Sequence, residues 1–254
     1  MGGFGNVLFQ LLASRVMIKK NIAVEYVNIL TEKNIFTKVL NWTIHERLYN
    51  DLIPKGKIKN KIPMIKVFII ILIGLISKRL RYKNRISTFY NNFNIFEEPY
   101  SKNIFGYFQE KTFLKENQEE ILKLGKEIKN IYSQEESKII VHYREGDSHW
   151  AKENKTYYES VRELIKCEVE KVYIATDSPK EALEFFSECP NVELTNAKNA
   201  MDDFIHMVNA KKLYCAPSTF SWWAAHALPD TAQVIVPKLL KDLLGIYKKE
   251  FIVL

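Results

Sequence analysis

The sequence predicts an α/β protein built on a parallel sheet that helices cover on both faces. Two observations carry this. Five short apolar runs, at 139–143, 172–176, 192–194, 213–215 and 234–236, alternate with helical stretches, the pattern of parallel sheets buried on both sides. The residues suited to binding anions or hydroxyls also fall directly behind these runs: His142 and Arg144, Thr176 and Asp177, and Ser218 to Ser221. Ligands of open parallel sheets sit beyond the carboxyl ends of the strands. At 254 residues the chain is long enough for one large domain or two small ones.

Each element has its own reason. Gly2-Gly3-Phe4-Gly5-Asn6 reads as a glycine turn before a helix, a form that binds anions in many folds. Residues 7–20 are expected to be that helix, with Leu8, Leu11, Leu12 and Val16 on one face. Residues 22–27 read as a strand. Such a glycine loop ordinarily follows a buried strand, so the first strand of the fold is expected to be missing. Residues 65–76 are nearly all apolar between basic flanks, and shorter than the about 20 residues a spanning helix needs. Two readings stay open for them: a core helix, or a helix lying on an acidic membrane surface.

From residue 103 the pattern sharpens. Residues 104–108 read as a strand and 115–132 as a charged helix. A helix from Thr156, boxed by Glu159, is expected to follow the 139–143 strand. Ser178-Pro179-Lys180-Glu181 supplies a cap, a first-turn proline and a box for the next helix. Asp202 or Asp203 is expected to cap a helix ending near Ala210, and another starts near Phe220.

Composition narrows the partners. The chain carries 37 Lys and Arg against 30 Asp and Glu, a net charge of +7. That balance suits nucleic acid, an acidic membrane or an anionic sugar nucleotide. Lysines occur along the whole chain and form no nucleic-acid motif, so nucleic acid is not expected as a partner. Cys167, Cys189 and Cys215 lie far apart, and the five histidines show no metal-ligand spacing. A reducing, cytoplasmic location, no metal and no cofactor are expected; peripheral contact on the inner face of an acidic membrane follows only from the surface-helix reading of residues 65–76.

The site candidates rest on their chemistry. Arg144 offers a permanent fork of donors to a diphosphate, and Gly146 lets backbone approach a ligand. The plainer alternative is a solvated Arg–Asp pair at a strand end. Asp177 is placed to accept from a ribose or base, with Ser178 as a cap. Of Asp202 and Asp203, one is expected as a cap and the other as a nucleoside contact. Ser218-Thr219-Phe220-Ser221 combines hydroxyls with helix-start N–H groups, which suits a phosphate. Trp222 and Trp223 read as packing residues beneath that turn.

Taken together, Gly3-Phe4-Gly5-Asn6 with Leu8-Phe9-Gln10, Gly106-Tyr107-Phe108-Gln109, His142-Tyr143-Arg144-Glu145-Gly146-Asp147 and Ser218-Thr219-Phe220-Ser221-Trp222-Trp223-Ala224-Ala225 resemble family 11 glycosyltransferases, the galactoside α-1,2-fucosyltransferases of bacterial type. The glycine loop and Ser-Thr-Phe run are also similar to the protein O-fucosyltransferases. The resemblance implies a GT-B architecture: an acceptor-side Rossmann-like half over residues 1–110, a GDP-sugar-binding half over 111–254, and a cleft between them. It implies a metal-free, inverting transfer of L-fucose from GDP-fucose to a galactoside or other glycan.

By motif matching, Arg144 and Asp147 would be catalytic, with Arg144 on the diphosphate. Gly3, Gly5, Asn6, His142, Thr176, Asp177, Asp202, Asp203, Ser218, Thr219, Phe220 and Ser221 would line the donor site. The sequence departs from the family pattern at Glu145, where a second arginine is usual, and at Val7, where glutamine is usual. Another GDP-deoxy sugar as donor, or a non-catalytic nucleotide-sugar-binding remnant, are the competing expectations.

Overall fold

Helix α1, Phe4–Lys19, is the first element of the computed structural model, which describes residues 4–20, 26–27, 52, 58–59, 69, 72–73, 76, 87–90, 103–106, 108–134, 138–145, 155–248 and 251–254. The chain divides into two units, Met1–Asn117 and Gln118–Leu254. In the first, α1 buries Val7, Phe9, Ala13 and Met17 as well as the expected Leu8, Leu11, Leu12 and Val16. A helix apolar all round belongs inside a core. It also starts earlier than expected. Gly5 and Asn6 are therefore helical residues of its first turn and not part of a glycine loop; Gly2 and Gly3 lie outside the described residues.

Two short parallel pairs come next: β1 (Tyr26–Val27) with β2 (Ile58–Lys59), and β3 (Ser87–Tyr90) with β4 (Asn103–Gly106). Helix α2 (Lys111–Glu116) is capped by the Glu110 carboxylate, which accepts the N–H groups of Thr112 and Phe113 at 3.0 and 2.8 Å. Within the 65–76 run the described residues Ile69, Leu72, Ile73 and Ile76 are helical. Ile69, Leu72 and Ile76 are exposed, so this face is not the core helix of the plainer reading.

The second unit begins with α3 (Gln118–Ile131) and continues as β5 (Ile139–Tyr143), α4 (Lys155–Lys166), β6 (Val172–Thr176), α5 (Pro179–Phe185), β7 (Val192–Leu194), α6 (Ala200–Val208), β8 (Lys212–Tyr214), α7 (Thr219–Ala227), β9 (Gln233–Val236), α8 (Lys238–Leu244) and β10 (Phe251–Val253). All six strands are parallel, in the order β10-β9-β8-β5-β6-β7. The chain steps outward from β5 through β6 to β7, then returns to lay β8 on the other side of β5. This is the strand order of dinucleotide-binding folds, and it reverses between β5 and β8. The five expected strands are present; β10, on the edge beside β9, is an addition.

Strand β5 is buried along its whole length, as a central parallel strand must be. Ile139, Val141 and Tyr143 join Tyr157, Val161 and Ile165 of α4, Ile174 of β6 and Tyr214 of β8 in one core cluster. Ile140 and His142 alternate to the other face.

Three helix starts differ from expectation. Thr156 lies inside α4, where its carbonyl accepts the Ser160 hydroxyl at 3.1 Å. Ser178 holds the cap position of α5 ahead of Pro179, yet its hydroxyl makes no cap bond. It donates instead to Asp177 at 3.4 Å, while the Ser178 N–H is taken by the Thr176 hydroxyl at 3.0 Å. Asn199 caps α6, so Asp202 and Asp203 stand in its first turn and neither is the cap. A short polar side chain one turn earlier wins because its oxygen reaches the N–H groups of Met201 and Asp202, at 2.9 and 3.1 Å.

Helix α7 is set against α3 by one glycine. A Cβ on Gly125 would stand 2.4 Å from the His226 carbonyl oxygen and 2.9 Å from its carbon, so only glycine admits this approach. Alanine at 125 would improve helix propensity by about 1 kcal/mol, but the obstacle is backbone, and overpacking costs about 1–3 kcal/mol. Gly125→Ala should therefore lower the unfolding free energy in urea titration. Unchanged or higher stability would contradict this packing.

Candidate active site at the switch point of the sheet

The site is built where the strand order reverses. His142 is the fourth residue of β5 and is buried. Across the reversal, Ser221 lies in the first turn of α7, wholly buried. A hydrogen bond joins His142 Nδ1 to the Ser221 hydroxyl, and the same oxygen accepts the Ala216 N–H at 3.0 Å. One side chain thus fastens the end of β5, the turn after β8 and the start of α7. The Phe220 ring packs between His142 and Phe204, with centroids at 5.5 and 5.2 Å.

Beyond that fastening lie the cation and the helix start. Arg144 stands just past β5, and its guanidinium is 3.6 Å from the carboxylate of Asp177, just past β6; both side chains are about one-third exposed. A pair this exposed contributes at most about 1 kcal/mol. The Arg144 N–H donates to the Tyr158 hydroxyl at 3.1 Å, and that hydroxyl points on to the His142 carbonyl at 3.5 Å. Tyr158 of α4 therefore holds the backbone behind β5. In sequence it carries no signal beyond that of a core tyrosine.

The turn before α7 differs in one respect from the expected cradle. The Ser218 hydroxyl caps the helix, accepting the N–H groups of Phe220 and Ser221 at 3.2 and 3.4 Å. An anion arriving here meets the positive helix end and the partly exposed Thr219 and Phe220. It reaches the Phe220 and Ser221 N–H groups by displacing the Ser218 cap. Trp222 and Trp223 are buried, edge to face at 5.0 Å. The Trp222 indole N–H donates to the Gly245 carbonyl at 2.8 Å. They pack beneath the turn, as expected.

On the outer side of β6, Thr176 is spent on the Ser178 N–H, and the two aspartates of α6 separate by partner. Asp202 accepts the Lys198 N–H at 3.0 Å and the Asn199 side chain at 3.1 Å, a local helix-start arrangement. Asp203 accepts the Thr195 hydroxyl at 2.7 Å. Burial pushes its carboxyl above the usual range, against that hydrogen bond, and Asp202 and Asp177 add to the rise. A carboxylate perturbed in this way beside the strand ends is a candidate for a functional role. Asp147 and Gly146 lie outside the described residues.

Glu145 turns away from this assembly. It is exposed, and its carboxylate accepts the Tyr143 hydroxyl at 2.9 Å. Tyr143 belongs to the core cluster on the face opposite His142. In the first unit, Asn6 accepts a hydrogen bond from Gln109 Nε2 at 2.6 Å. Two of the motifs singled out in the sequence meet there, and Gln109 was not among the site candidates. It is preceded by Phe108, buried and in the left-handed region at φ 54, a conformation that costs about 1–3 kcal/mol and clusters at functional positions. Among the described residues no group of His, Cys, Asp or Glu side chains is placed to hold a metal.

No protein-family model matches the sequence, and no curated protein matches it. Among solved structures, the chain is similar to the Escherichia coli heptosyltransferase WaaC with ADP, at 12% identity, covering 100% of this chain and 90% of that one, with a TM-score of 0.49. It is also similar to NodZ α-1,6-fucosyltransferase co-crystallised with GDP, at 14% identity over 89% of this chain and 90% of that one, with a TM-score of 0.39. The same enzyme soaked with GDP-fucose gives 13% identity, the same coverage and a TM-score of 0.40.

His142 gives the fastening a pH signature. Burial, with the nearby Arg144 charge, lowers its pKa to about 3, so it stays neutral in the fold. The unfolded histidine binds a proton below about 6.5, so its contribution to stability is complete above that pH and is lost as pH falls toward 3. Each such histidine can tilt stability by at most about 1.4 kcal/mol per pH unit. The destabilisation caused by His142→Gln should therefore be largest at neutral pH and shrink between pH 6.5 and 4 in urea titrations. A cost that is constant over this range would show that His142 is not held neutral.

Proposed function

We propose that the chain is a glycosyltransferase that moves L-fucose from GDP-fucose to a galactoside hydroxyl, with inversion and an α-1,2 linkage, in the synthesis of a surface polysaccharide or oligosaccharide. One observation carries this reading: Arg144 and the start of α7 flank the point where the strand order reverses, tied together by His142 and Ser221. That is where an open parallel sheet binds a nucleotide, and the two groups there are a cation and a helix N-terminus, both suited to a diphosphate. In this reading the two units are the halves of a GT-B enzyme, the second taking GDP-fucose and the first the acceptor.

The acceptor oxygen attacks the anomeric carbon as the bond from that carbon to the phosphate oxygen breaks, and GDP leaves with the bonding electrons. The acceptor proton passes to a base, for which Asp147 is the proposed residue. Arg144 meets the charge growing on GDP, and a diphosphate outbids the single carboxylate of Asp177 for the guanidinium. Asp203 is proposed to accept from the nucleoside, and Thr219 and Phe220 to border the phosphate and fucose. Glu145 is bound to Tyr143, a placement that would direct its charge away from the proposed diphosphate.

A preorganised group meeting leaving-group charge is worth roughly 100- to 1000-fold in rate. Arg144→Ala should lose transfer by at least that factor in a GDP-fucose assay with a galactoside acceptor panel and product linkage analysis, with the circular dichroism spectrum unchanged. Near-normal turnover would sink the assignment. A panel of GDP-sugars in the same assay identifies the donor, and GDP binding without any transfer would make the chain a binding remnant.

A further inference from the structure

We propose that the face carrying Ile69, Leu72 and Ile76 docks the protein onto an anionic lipid surface. Two independent observations meet there. First, the three side chains are 49%, 44% and 48% exposed on helical backbone. Their spacing of three and four residues is that of one helix face, and Ile73, also helical, is half-buried. Large aliphatic side chains grouped on one exposed face mark an interaction surface more than singly scattered ones do.

Second, the charge is unevenly placed. Lysines run along the whole chain, but acidic residues do not. Between Leu52 and Phe96 there are ten Lys and Arg and no Asp or Glu. The net charge of the chain is +7, so everything outside this stretch is acidic on balance, and the entire excess of positive charge lies in and around the apolar run. An apolar helix face bracketed by Lys55 to Lys61 and Lys78 to Arg85 complements a bilayer whose surface is negative and whose interior is apolar. Such a helix lies in the interface, with its apolar face among the acyl chains and its cations among the headgroups. Among the described residues no helix is long and apolar enough to cross a membrane, so the contact is peripheral. This inference stands apart from the reaction proposed above: it needs neither Arg144 nor the turn at Ser218.

The test is sedimentation of the full chain with phosphatidylcholine vesicles, with and without phosphatidylglycerol. The protein should partition onto the anionic vesicles and not onto pure phosphatidylcholine. Binding should weaken as salt shortens the screening length from about 10 Å at 0.1 M to about 3 Å at 1 M. Replacing Lys78, Arg79 and Arg81 together by alanine should reduce partitioning on the order of 100-fold, at about fivefold per charge. Replacing Ile69, Leu72 and Ile76 by serine should reduce it by roughly tenfold or more; these side chains are exposed, so an unchanged circular dichroism spectrum and thermal transition are expected. No preference for anionic vesicles, or a preference that survives in both variants, overturns the proposal. Tighter retention by duplex DNA at equal phosphate overturns it in favour of nucleic acid. A dimer in light scattering that the serine variant dissolves overturns it in favour of a second copy of the chain.

Discussion

The arrangement at the carboxyl edge of the sheet depends on one buried hydrogen bond, between His142 and Ser221. Strands β5 and β8 are neighbours only because the chain crosses back over the sheet, and nothing in the local sequence of either strand fixes the path of the loop behind it. Ser221 supplies the constraint. Its oxygen takes the Ala216 N–H of the turn and meets the imidazole of the facing strand. The bond is shielded from water, where a satisfied polar pair is strong and an unsatisfied partner costs about 1–3 kcal/mol. It fixes where Arg144 leaves β5 and where α7 begins. Gly125 adds a second constraint from behind, since α7 reaches this position only where α3 presents no Cβ.

The electrostatics of the edge arise from burial as much as from charge. Neutral His142 adds no positive potential, so Arg144 supplies the cation at the end of β5. Its partner Asp177 and the partly buried Asp203 stand on the side toward β7, while the side toward β8 carries the positive end of α7. A ligand with phosphates at one end and a hydroxyl- or N–H-rich moiety at the other matches this gradient. Ser218 holds the helix start by taking two of its N–H groups, so an anion bound there would exchange partners with Ser218 and not fill bare donors.

Much of this was legible in the sequence, for physical reasons that differ from residue to residue. The central strand β5 was readable because a run buried on both faces leaves a continuous hydrophobic signal; the outer strand β7, Val-Glu-Leu and only partly buried, was readable from its place between two helices. Arg144 and the Ser218 turn stood out because they come directly after such runs. The helix caps were less legible: Ser178, Asp202 and Asp203 all have cap chemistry, and the choice fell to backbone geometry that favoured Asn199 and left Ser178 bonded to its neighbour. Gly5 looked like a loop glycine, yet helix α1 begins at Phe4 and runs through it. The role of Ser221, the hold of Tyr158 on the Arg144 backbone and the pairing of Asn6 with Gln109 depend on contacts 14 to 103 residues apart, which no local pattern encodes. The outward turn of Glu145 depends on Tyr143 being buried on the other face.

The proposed function requires a GDP-sugar at the edge between β5 and β8. Amide hydrogen exchange of the full chain, with and without GDP, measures it most directly. Protection should concentrate in peptides covering 142–145 and 216–222, with a smaller effect at 176–178 and 203, and none at the opposite ends of the strands around 168–171 and 211–213. Protection confined to those opposite ends, or no protection at saturating GDP, would contradict the account.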